Sequence, residues 1–131
     1  MSVFDIEGEP GKWFELDDGG RIQLRLLNAD DFKAIRKQTV KKRVDFKKVD
    51  GTPSRFEHEE NNEELQGELF WDSVIVNWEK FFDAKGVEIP CTKENKLLLM
   101  ARSMKFVKIA TDFIKVLNED EEKQAGTSEK N

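Results

Sequence analysis

Lys12-Trp13-Phe14-Glu15-Leu16-Asp17-Asp18-Gly19-Gly20-Arg21-Ile22-Gln23-Leu24-Arg25-Leu26 is the stretch from which the architecture can be read. Its second half alternates polar and apolar residues, the period of a half-buried strand. Ile22, Leu24 and Leu26 point to one side, and Arg21, Gln23 and Arg25 to the other. Lys12 to Leu16 reads as the partner strand. Asp17-Asp18-Gly19-Gly20 between them supplies residues that tolerate positive φ, the chemistry of a hairpin turn. A hairpin with one apolar face must bury that face against another element.

Downstream, Asn28 is an N-cap for a helix that opens on Ala29-Asp30-Asp31, with both aspartates at the positive end of the helix dipole. Phe32, Ile35 and Thr39 share a face of that helix, and Lys37, Lys41, Lys42 and Arg43 load its end. Val44–Lys48 and Arg55–Glu59 flank Asp50-Gly51-Thr52-Pro53 and read as a second, more polar hairpin. Glu59 to Glu64 reads as an acidic loop. Leu65, Leu69, Val74, Trp78 and Phe81 then recur at helical spacing, widened by Phe70, Trp71, Ile75 and Phe82. One long helix through Phe82 is expected, ended by Asp83-Ala84-Lys85-Gly86.

Val87-Glu88-Ile89-Pro90 is short and extended. Thr92 opens another helix over Lys93–Arg102, in a capping box with Asn95 in place of the usual Glu or Gln. Ser103 marks a break. From Met104 to Asn118, Phe106, Ile109, Ala110, Phe113, Ile114 and Leu117 fill one side of a last helix. The predicted fold is α+β: N-terminal antiparallel β-hairpins and a mostly helical C-terminal half, in a single domain over residues 11–118. Residues 1–10 are expected to be flexible. Residues 119–131, rich in Glu, Lys, Gly and Ser, are expected to be a disordered acidic tail.

Composition narrows the function classes. The chain has 131 residues, 37% hydrophobic and 37% charged, with a net charge of -5. An acidic chain has no overall electrostatic drive toward phosphate, so nucleic acid is a disfavoured partner. The single cysteine, Cys91, can form neither an intrachain disulfide nor a cysteine zinc cluster. The opening Met1-Ser2-Val3-Phe4-Asp5-Ile6-Glu7 is acidic where a signal peptide is basic. No apolar run approaches the roughly 20 residues of a membrane span. A soluble, cytoplasmic chain without membrane partners is expected.

No catalytic, cofactor or metal site is predicted. His58-Glu59-Glu60 begins like a zinc-protease motif, but Asn62 stands where the second histidine belongs. Asp17-Asp18-Gly19-Gly20 lacks the ligand spacing of a calcium loop. Cys91 precedes a helix start, but the only histidine, His58, lies in a polar hairpin. The glutamate pairs at 59–60, 63–64 and 121–122 lie in solvated runs, where nothing raises a carboxyl pKa. Lys33, Arg36, Lys37, Lys41, Lys42, Arg43, Lys47 and Lys48 form the one basic segment. It reads first as a charged helix end and exposed hairpin that meets an acidic protein surface or the chain's own acidic tail, and second as a nucleic-acid contact. Trp71, Trp78, Phe81 and Phe82 read as core. Met100, Met104 and Phe106, at the bend between the last two helices, read as core, or as a patch for transient binding where they are exposed.

Val74-x-x-x-Trp78-x-x-Phe81, the run Asp83-Ala84-Lys85-Gly86-Val87-Glu88-Ile89-Pro90-Cys91-Thr92-Lys93-Glu94-Asn95-Lys96-Leu97-Leu98 and Phe106 resemble bacteriophage tail assembly chaperones and related small tail proteins. Gly11-Lys12-Trp13-Phe14 with Arg21-Ile22-Gln23-Leu24-Arg25 is similar to the opening of such proteins. The resemblance covers residues 11–117, and the Asp50-Gly51 hairpin has no counterpart in it. It implies a non-enzymatic role in tail morphogenesis in the host cytoplasm, with tape-measure and tail-tube proteins as partners. The tape-measure client would lay an amphipathic helix in a groove lined by Leu99, Met100, Met104, Phe106 and Phe113. Two other readings stand beside it. One is a structural tail or head–tail joining protein, which would form homo-oligomers. The other is a small regulatory protein that contacts nucleic acid through residues 33–48, with Lys37, Lys41, Lys42 and Arg43 as its basic patch.

Overall fold

The alternating segment sits at the centre of a three-stranded antiparallel sheet in the computed structural model, which describes residue 2 and residues 10–129. Strand β1 (Lys12–Glu15) pairs with β2 (Arg21–Leu24), placing Phe14 opposite Ile22. The loop closes through hydrogen bonds from Leu16 N–H to the Gly20 carbonyl and from Gly19 N–H to the Leu16 carbonyl. Gly19 takes φ 91°, which a side chain would resist.

Helix α1 (Ala29–Thr39) follows with the predicted cap. The Asn28 side chain accepts from Asp31 N–H, and the Asp31 carboxylate accepts from Asn28 N–H. Asp31 is also held by both terminal nitrogens of Arg25, at 2.9 and 3.1 Å. The Arg25 hydrogen bonds, more than the opposing desolvation, draw the Asp31 carboxyl below its ordinary value of 3.8. A carboxylate whose folded pKa is depressed contributes stability above its unfolded value, and that contribution is lost as pH falls through the folded value. Arg25→Met is therefore expected to raise the Asp31 pKa toward 3.8 and to lessen acid sensitivity below that pH. A carbon-detected NMR titration reads this directly, and an unmoved Asp31 would contradict it.

Among the described residues, strands β3 (Val40–Val49) and β4 (Thr52–Asn61) pair only with each other, as a two-stranded ribbon. The turn is Asp50 at φ 55° and Gly51 at φ 79°, the positive-φ pair that two-residue hairpins prefer. The second hairpin thus forms, with longer strands than Val44–Lys48 and Arg55–Glu59. Part of the expected acidic loop, Glu59 to Asn61, is strand. Asn62 caps helix α2 (Glu63–Val74), accepting from Leu65 N–H at 3.1 Å.

The expected long helix through Phe82 ends at Val74. Ile75–Glu79 is instead β5, antiparallel to β2 at the edge of the first sheet. Two features of Val74-Ile75-Val76 explain the difference. A β-branched run favours strand over helix. The register also slips: Gln23 faces Asn77 and Leu24 faces Ile75, leaving Val76 as an extra residue. That bulge places Ile75 and Trp78, three apart, on the same buried face. A bulged strand thereby imitates helical spacing in the sequence.

Helix α3 (Lys93–Arg102) has Thr92 as N-cap, accepting from Asn95 N–H at 3.2 Å. Asn95 does not return the capping-box bond; its amide donates to the Pro90 carbonyl at 2.9 Å. Ser103 breaks the chain, and its hydroxyl accepts from Phe106 N–H to start α4 (Met104–Glu129). Residues 119–129, expected to be disordered, thus carry helical backbone, and Lys12 meets Asp120 at 3.4 Å. The expected flexible segment 1–10 falls outside the described residues apart from Ser2 and Pro10, and residues 130–131 also fall outside them.

One face of the sheet, with Phe14, Ile22, Leu24, Ile75 and Trp78, packs with Val74, Phe106 and Leu117 into the core. Phe14 stacks on Phe113 of α4 at 4.3 Å. The opposite face holds Arg21, whose guanidinium lies 4.2 Å over the Trp13 ring and bonds Glu79 at 2.6 Å. Helix α1 packs on α2 through a face that buries Ile35 and Thr39, while Phe32, expected on that face, is exposed. The fold is α+β, as the sequence pattern predicts.

Candidate functional site

Lys80, at φ 58°, turns the chain out of β5. Phe81 then stacks on Trp78, with ring centroids 5.2 Å apart, and Phe82 turns outward and is 57% exposed. The Asp83 carboxylate fixes the next turn by accepting from Lys85 N–H and Val87 N–H, at 2.8 and 3.0 Å. The returning segment is tied down at Ile89. Its N–H donates to the Phe81 carbonyl, and its carbonyl accepts from the Trp78 indole, both at 2.7 Å.

This loop, the β1–β2 turn and the α3–α4 junction enclose a groove of about 580 Å3. Its apolar surface comes from Leu16, Phe81, Phe82, Ile89, Leu99, Phe106 and Ile109. Asp18, Lys80 and Lys105 also line it, with Asp18 and Lys105 3.9 Å apart. Gly20 permits the close approach of the turn. A Cβ there would lie 3.1 Å from the Phe81 ring and 3.2 Å from the Lys80 carbonyl oxygen. Met104, between the lining residues Ser103 and Lys105, is 81% exposed.

The predicted client-binding residues divide. Leu99 lines the groove, and Met104 is exposed beside it. Phe106 also lines it but is a core residue, buried against Trp78 and Phe81. Met100 and Phe113 pack against the core. The α4 face that carries Phe106 and Phe113 is the one that covers the sheet, and Met100 of α3 is partly buried against the same core. Phe81, Phe82 and Ile89 were missed as lining residues. The sequence pattern predicts Phe81 and Phe82 on a helix and Ile89 in a short extended segment, whereas the bulge at Val76 and the turn at Lys80 bring them together.

The basic patch is exposed: Lys37 on α1, and Lys41, Lys42 and Arg43 on β3. It does not stand alone. Lys41 pairs across the ribbon with Glu60 and Lys42 with Glu59, and Arg43 approaches Glu60 to 2.8 Å. Arg36 reaches Glu59 at 3.0 Å. Glu57, Glu59 and Glu60 of β4 thus offset part of the positive field that a phosphate contact over residues 33–48 would use.

Cys91 is half-buried against the core, and burial pushes its thiol up, away from the reactive thiolate form. His58 lies on the ribbon beside Asp45. Among the described residues, no group of three or more His, Cys, Asp or Glu side chains is placed to hold a metal ion, and no helix is long and apolar enough to cross a membrane. Comparison with protein-family models, curated proteins and solved structures finds no match to this chain.

Proposed function

We propose that this chain is a non-enzymatic protein-binding module, a phage tail assembly chaperone that holds an amphipathic helix of the tape-measure protein in the groove between Phe82 and the α3–α4 junction. The observation that carries this reading is the groove itself: an apolar lining bordered by exposed Phe82 and Met104. A helix with anchors three or four residues apart would bury its apolar stripe there, and acidic residues beside that stripe would meet Lys80 and Lys105. Methionine suits such a site because its flexible thioether adapts to varied client side chains. In this reading the protein works in the host cytoplasm and also recruits tail-tube protein.

The second reading, a structural tail or head–tail joining protein, is favoured by the projecting β3–β4 ribbon. Co-expression with the tape-measure protein of the same phage separates the two. The chaperone reading expects the tape-measure protein to become soluble in complex with this chain, and the chain to be missing from purified virions. A stoichiometric virion component that leaves the tape-measure protein insoluble would replace it with the structural reading.

A further inference from the structure

The β3–β4 ribbon projects from the body. Every residue from Lys41 to Asn61 is exposed except the half-buried Ser54, so neither face of the ribbon is covered. Among the described residues, its main packing outside itself is of β3 on α1. Phe46, Val49, Phe56 and Val44 are 73, 48, 44 and 41% exposed. An isolated two-stranded ribbon is at best marginally stable in water, and its two free edges are templates for further strands.

Those edges differ in charge. Strand β3 carries Lys41, Lys42, Arg43, Lys47 and Lys48 against Asp45, while β4 carries Glu57, Glu59 and Glu60 against Arg55. We propose that copies of this chain associate side by side through these ribbons, the β3 edge of one copy against the β4 edge of the next.

Strand β3 runs out from the body and β4 runs back. Copies in the same orientation therefore meet antiparallel, and in the register of the internal pairing. Lys41 and Lys42 of one copy then oppose Glu60 and Glu59 of its neighbour, as they do within each ribbon. Antiparallel pairing of β3 with β3 would set Lys41 against Lys48 and Lys42 against Lys47, and like charges directly opposite destabilise a sheet. A strand twist of about 20–25° per step turns each successive ribbon by roughly 40–50°, which fans the bodies apart. The contact joins two different edges, so repetition gives a ring or an open array, not a two-fold dimer. Phe46 and Phe56 lie on opposite faces of the ribbon, so each would recur along its own face of the joined sheet, opposite Arg55 and Asp45 of the neighbour.

The test is sedimentation of the full chain over a concentration series, with a charge-swapped variant, Lys41→Glu/Lys42→Glu/Glu59→Lys/Glu60→Lys. Wild type is expected to sediment above monomer mass and to dissociate as salt rises. The fourfold variant keeps opposite charges inside each ribbon and is expected to self-assemble. Mixed with wild type it is expected to sort into separate assemblies, because its edges repel those of wild type. Lys41→Glu/Lys42→Glu alone is expected to be monomeric. Wild type that stays monomeric at the highest concentration overturns the proposal, as does wild type that changes mass only when duplex DNA is added. Free co-assembly of wild type with the fourfold variant overturns it as well.

Discussion

Trp78→Ala is expected to lower the unfolding free energy by about 3–5 kcal/mol. The indole is 4% exposed and lies where the sheet, the Phe81–Ile89 loop and α4 converge. It stacks on Phe81, meets Phe106 edge-on at 5.9 Å and donates to the Ile89 carbonyl. Truncation would open a cavity beneath the groove and leave that carbonyl without its indole partner. Domains of this kind are stable by roughly 5–15 kcal/mol, so much of the folded population would be at risk. Trp78→Phe keeps most of the apolar volume and loses the hydrogen bond, at a cost of roughly 1–3 kcal/mol. Urea denaturation separates the two variants. Equal destabilisation by both would mean that the hydrogen bond, and not the packing, dominates.

Asp72→Ala is expected to destabilise by about 2–4 kcal/mol, while Lys96→Met is expected to be near neutral or stabilising. The Lys96 side chain is 11% exposed, and its ammonium donates to the Asp72 carboxylate at 3.2 Å and to the Asp72 carbonyl at 3.1 Å. This ion pair pins α3 to α2. Removing the carboxylate leaves the ammonium only the residue-72 carbonyl as a partner, in a place that water barely reaches, so part of the cost is uncompensated desolvation and not only a lost contact. Removing the ammonium leaves a carboxylate that is 31% exposed and can hydrate. Methionine fills the space of the lysine stem with apolar atoms. Thermal melts of the two variants check the asymmetry, and an equal loss in both would contradict it.

The parts of the fold that the sequence discloses are those set by local chemistry. The Ile22–Leu24 alternation, the Asn28 and Thr92 caps, the Asp50-Gly51 turn and the Ser103 break each depend on a few adjacent residues. Strand β5 was hidden because the bulge at Val76 gives Ile75 and Trp78 helical spacing, and because its partner, β2, lies far back in the chain. The buried lysine was equally hidden, since only the α2–α3 packing brings Asp72 to Lys96. Part of the groove was legible for the same reason. Leu99 and Met104 stand at a junction that the sequence marks with Ser103, whereas Phe81, Phe82 and Ile89 reach the groove only through the turn at Lys80. Apolar identity alone does not separate the core role of Phe106 from the exposure of Met104.

The most direct test of groove-mediated client binding is calorimetric titration of helical segments of the tape-measure protein into the full-length chain and into Phe82→Glu/Met104→Glu. Both side chains are exposed, so the variant is expected to keep the wild-type melting temperature. Saturable binding by wild type, with at least a tenfold loss of affinity in the variant, is the predicted result; a tenfold loss is about 1.4 kcal/mol. Binding of equal strength to both proteins, or no binding to wild type, would contradict a client site at this groove.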